Sequence, residues 1–83
     1  MRIISQDGQT NIPYESVAIE IDCAYGKKYE IIASDHFADP NAEWMVLGEY
    51  PTYEKAVSVF ENIISHGNLD KKIYRIPKSK EVN

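Results

Sequence analysis

The sequence predicts a small α+β fold: an antiparallel sheet of about five to six short strands packed on one late amphipathic helix, in the order β-β-β-β-β-α-β. Three observations carry that expectation. Apolar side chains alternate along residues 16–24 and again along 28–34, the period of a half-buried strand. From residue 53 to 65 the period changes to three and four, the spacing of one apolar helix face. The chain has 83 residues, room for one modest core. Residues 1–77 are therefore expected to form one domain and residues 78–83 a frayed tail.

The elements follow in order. Residues 2–5 are a short β-like run, ended by Gln6-Asp7-Gly8, where Gly supplies a positive φ. Residues 10–12 can pair back, and Pro13 keeps that strand short or at an edge. Along residues 16–24, Val17, Ile19, Ile21 and Cys23 share one face, while Glu20 and Asp22 share the other. Tyr25-Gly26-Lys27-Lys28 is a hairpin signal leading into the strand at 28–34. Residues 35–42 are the longest loop signal. Residues 43–50 return to strand and are apolar on both faces, with Trp44, Val46 and Tyr50 alternating against Met45, Leu47 and Glu49. Thr52 is the expected helix N-cap, with Glu54 in the first turn. Ala56, Val59, Phe60, Ile63 and Ile64 form the apolar stripe, and Gly67 is the expected terminator. Residues 71–76 give a last strand before Pro77.

In this alternation Ile32, Met45 and Leu47 lie on the sheet face that the helix does not cover. An apolar face left bare predicts self-association, and a two-fold homodimer is the commonest way to bury one.

Composition narrows the function classes. The apolar fraction is 43% and the charged fraction 27%, as in ordinary globular chains, which argues against disorder. One cysteine, Cys23, makes no internal disulfide; its apolar setting predicts a buried thiol and a reducing cytoplasm. No apolar run has the roughly 18 residues of a membrane span. Net charge is −4 but unevenly placed. Residues 1–70 hold four basic side chains against twelve acids, a net of −8. Residues 71–83 hold Lys71, Lys72, Arg75, Lys78 and Lys80 against Glu81, a net of +4. This strip reads first as a lysine-protected edge strand and second as a contact for nucleic acid or an acidic surface. The acidic body opposes phosphate and favours the first reading.

Catalytic signals are weak. Asp35, His36, Asp39, Asn41 and Glu43 place oxygen ligands at nearly alternate positions, but without the glycine and late glutamate of a calcium loop. His36 beside Asp35 or Asp39 has no nucleophile or oxyanion partner in any recognised spacing. His66 is explained by the negative end of the helix dipole. No phosphate-binding glycine loop is present. The reading is therefore non-enzymatic, with no cofactor and no metal. Six Tyr, two Phe and one Trp suit a half-buried sheet, and equally a protein-binding surface.

Met1-Arg2-Ile3-Ile4-Ser5-Gln6-Asp7-Gly8, then Ile12-Pro13-Tyr14-Glu15, resembles the start of a group of small uncharacterised proteins of Gram-positive bacteria and their phages and prophages. Gly48-Glu49-Tyr50 leading to Glu54-Lys55-Ala56 continues the resemblance, and the loop at 35–42 is longer than the group's. The resemblance implies a cytoplasmic protein of phage or mobile-element origin and carries over no catalytic or binding residue. The expected function is self-association and contact with a host protein. The alternatives are nucleic-acid binding through the basic strip and a dimer that sequesters a small ligand.

Overall fold

The computed structural model describes every residue except 25, 27, 36–38 and 83. It is α+β: β1 (Arg2–Ile4), β2 (Asn11–Pro13), β3 (Ala18–Ala24), β4 (Lys28–Ser34), β5 (Met45–Tyr50), α1 (Tyr53–Asn68) and β6 (Ile73–Arg75). The strands do not form the single antiparallel sheet expected. They form two three-stranded sheets, β2-β1-β6 and β3-β4-β5. The first is mixed, because β1 pairs antiparallel with β2 and parallel with β6. The second is antiparallel throughout.

A β-bulge in β5 decides which side chains face inward. Ile31 pairs with Gly48 but Ile32 pairs with Val46, so Leu47 is the extra residue. Leu47 and Gly48 then both turn inward, and every residue before them changes face. Leu47 is 1% exposed and Met45 packs on the core, while Val46 is 47% exposed. The expectation that Met45 and Leu47 share an uncovered face with Ile32 is therefore corrected. Only Ile32 lies opposite the core cluster, opposite Glu20 on one side and Val46 on the other.

Gln6 joins the sheets at this bulge. Its N–H donates to the Leu47 carbonyl at 2.7 Å. Its side-chain amide accepts from the Glu49 N–H at 3.2 Å and donates to the Pro77 carbonyl at 3.0 Å. The Tyr50 hydroxyl donates to the same Pro77 carbonyl at 2.6 Å. Burial pushes the Tyr50 phenol above its ordinary range, so it stays a donor. Gly48 permits the close approach. A Cβ there would stand 2.8 Å from Cγ2 of the buried Ile76.

The helix starts as expected: the Thr52 hydroxyl accepts from the Lys55 N–H at 3.2 Å. Ala56, Val59 and Ile63 are its buried side chains. Its end differs from expectation. Gly67 is still helical, and its lack of a side chain serves packing, since a Cβ there would stand 2.5 Å from the Tyr14 ring. Asp70 takes the left-handed position instead, at φ 55°. The Lys71 N–H reaches the His66 carbonyl and the Asp70 N–H reaches the Gly67 carbonyl, the paired bonds of a Schellman end. The segment expected to fray is docked. Ser79–Glu81 is a 3-10 turn whose Ser79 carbonyl accepts from Lys55 Nζ at 3.0 Å, and Val82 packs on the core.

Two outcomes test this account. Gln6→Ala removes the side-chain bonds to Glu49 and Pro77, while Pro77 keeps its bond from Tyr50 and Glu49 can bond water, and should cost about 1–2 kcal/mol in denaturant unfolding. Asp70→Gly relieves a left-handed aspartate at the negative end of the helix and should stabilise by about 0.5–1 kcal/mol.

Candidate functional site

The two edges of the β3-β4-β5 sheet are treated differently. The β5 edge is occupied by Gln6. The β3 edge is open: among the described residues, no backbone group outside β4 bonds to Ala18–Asp22. β3 is seven residues long and has no proline, lysine or bulge, the usual devices that blunt an edge.

The inner side of β3 is incompletely covered. Val17, Ile19 and Ile21 are only half-buried, and Cys23 is exposed. The expected buried thiol is thus corrected: β3 is an edge strand, and its inner face is covered only in part. A groove of about 370 Å³ runs between β3 and α1, lined by Val17 and Ile19 on one wall and Phe60, Ile63 and Ile64 on the other. Tyr14 and Glu15 line it as well. Ile64 is 39% exposed although it belongs to the apolar stripe. This apolar groove is not the bare face expected at Ile32, Met45 and Leu47; it lies on the opposite side of the sheet, beside the helix, and is made of other residues.

The outer face of the same sheet carries an acidic row beside Ile32 and the exposed Val46. Asp22 pairs with Glu30 and Glu30 with Glu49, so three carboxylates form one row across the strands. Burial, then the Glu49 and Asp22 carboxylates, push the Glu30 carboxyl above its ordinary range, against a smaller pull from Lys28. The Lys28 ammonium lies 3.9 Å from Glu49. Among the described residues, no other basic side chain forms an ion pair on this face.

The basic strip is exposed throughout: Lys71, Lys72, Arg75, Lys78 and Lys80 all face solvent. Strand β6 lies at the edge of its sheet, as the protective reading expects. Arg75 and Lys78 line a cleft of about 420 Å³, but Asp7 and Glu81 line it too. Bonds from the Ser5 hydroxyl and then the Gln9 N–H hold the Asp7 carboxyl below its ordinary range, so it stays anionic beside the cations. The strip therefore presents mixed charge where it lines this cleft.

The loop constellation is partly visible. His36 lies outside the described residues. The Asp39 carboxylate accepts from the Asn41 N–H at 3.0 Å, which uses it as a turn former. No group of three or more His, Cys, Asp or Glu that could hold a metal occurs among the described residues. His66 Nδ1 stands 2.8 Å from the Asn62 carbonyl, and its ring packs edge-on against Tyr74 with centroids 4.8 Å apart. Among the described residues no helix is long and apolar enough to cross a membrane. No protein-family model, curated protein or solved structure matches this chain.

The raised Glu30 carboxyl makes a pH prediction. Its ionised form is less favourable folded than unfolded. The penalty is absent below the unfolded value of 4.5 and grows as pH rises from there to the higher folded value. Glu30→Gln should therefore raise the melting temperature at pH 7, and the gain should vanish in melts below about pH 4 and shrink with added salt.

Proposed function

We propose that this chain is a non-enzymatic protein-interaction module whose docking surface is the open edge of β3 together with the groove between β3 and α1. One observation carries the reading. The fold closes one edge of its larger sheet with Gln6 and leaves the backbone of the other edge unpaired among the described residues, next to half-buried apolar side chains and guarded against its own kind only by Glu20 and Asp22. Adding a strand from another chain satisfies the free backbone groups and buries the apolar side chains in one step. The resemblance of the first fifteen residues to phage and prophage proteins fits an accessory factor acting on a host protein in the cytoplasm.

The homodimer anticipated through Ile32, Met45 and Leu47 loses its motive, since Leu47 is buried in the core and Met45 packs against it. Self-association, where it occurs, would use the β3 edge. The mixed charge around Arg75 and Lys78 gives nucleic-acid binding less support than protein contact.

Ile19→Lys tests the reading. Ile19 lines the groove at the sheet edge, and a lysine there protects edges while its stem can lie along the groove. Circular dichroism should remain native. Protein partners crosslinked to the wild-type chain should disappear with Ile19→Lys and persist when Lys71 and Lys72 are both changed to Gln. Partners that survive Ile19→Lys but not the lysine changes would overturn the β3 assignment.

A further inference from the structure

Resting on that reading, we infer that the natural occupant of the β3 edge is an extended segment of another protein in which basic and apolar residues alternate, the basic ones facing the Glu20–Asp22 side of the sheet. A strand laid along β3 places its outward side chains directly opposite Glu20 and Asp22, at the cross-strand distance of about 5 Å. Both acids are exposed, and neither has a basic ion-pair partner among the described residues. Glu30 lies one strand further in, opposite Asp22. Lysine or arginine at alternate positions would therefore meet unpaired carboxylates in register. The intervening side chains point to the opposite face, where Val17, Ile19, Phe60 and Ile64 form the groove. An apolar residue there extends the core instead of exposing it. The charge pattern chooses the outward residues and the groove chooses the inward ones.

A second copy of this chain fits the same edge poorly. Antiparallel self-pairing about an axis through Ile21 sets Glu20 against Asp22 of the other copy. An axis through Glu20 sets that carboxylate against its own counterpart. Like charges directly opposite are unfavourable. Moving the axis to Ile19 avoids both clashes but leaves only Ala18 to Glu20 paired within the strand.

The test uses the whole chain with two blocked synthetic peptides of seven residues each, alternating lysine with valine or glutamate with valine. Amide hydrogen exchange and chemical shifts report on β3. The lysine–valine peptide should bind saturably, protect β3 amides that point away from β4, and weaken about tenfold or more at high salt. Glu20→Lys with Asp22→Lys, both at exposed positions, should exchange the preference to the glutamate–valine peptide. Glu20→Gln and Asp22→Asn, which keep the side-chain shape, should each give a partial loss. Equal binding of the two peptides, or protection of β3 by self-association alone, would overturn the basic-segment inference and leave the docking surface standing. Failure of peptides, crosslinked partners and concentrated chain alike to protect β3 would overturn both.

Discussion

Gln6 holds the two sheets in one fold, and the bulge at Leu47 makes that possible. The extra residue in β5 gives Leu47 no partner in β4. The Gln6 N–H takes the Leu47 carbonyl, and its side-chain amide bonds Glu49 and Pro77, so one residue ties two distant segments, β5 and the stretch after β6, to its own. The contact is close because position 48 has no side chain where Ile76 packs. Tyr50 fastens the same Pro77 carbonyl from within the core. Buried backbone groups require partners, and at this seam a side-chain amide supplies what a further strand would otherwise provide.

Closing one edge in this way fixes the character of the other. With β5 sealed, β3 is the one strand of the larger sheet left with an open edge among the described residues. The helix covers the sheet from one side, and Ala56, Val59 and Ile63 face the core, while Ile64 stays 39% exposed above the groove. On the outer face Asp22, Glu30 and Glu49 stand in a row, next to the row of Glu20, Ile32 and Val46. The surface is thus graded from apolar within to anionic without across a single strand. Such a gradient matches an alternating partner better than it matches a flat apolar patch.

Local chemistry was legible where it depended on near neighbours. The Gln6-Asp7-Gly8 turn, the β3–β4 hairpin and the Thr52 cap all follow from residues within a few positions of each other. Reading failed where a distant contact overrode the pattern. Residues 43–50 alternate as a regular strand would, and nothing in that stretch announces the extra residue at Leu47, whose carbonyl bonds to the N–H of Gln6 in a remote part of the chain. Gly67 has the look of a helix terminator but serves the Tyr14 ring, and Asp70 accepts the left-handed turn. Cys23 was placed by its apolar neighbours, which do not reveal that its strand lies at an edge.

The sequence by itself determined the class of fold, the positions of its helix and strands, the acidic outer face of β3 and the basic stretch after residue 70. These depend on periodicity and composition, which local physics reads directly. Only the tertiary structure decided that the strands divide into two sheets, that β1 and β6 run parallel, that Met45 and Leu47 turn toward the core, and that an apolar groove opens between β3 and the helix. Those outcomes turn on which backbone groups find partners across the molecule. A one-residue shift in pairing exchanges every side chain between core and solvent, and no local pattern fixes where it falls.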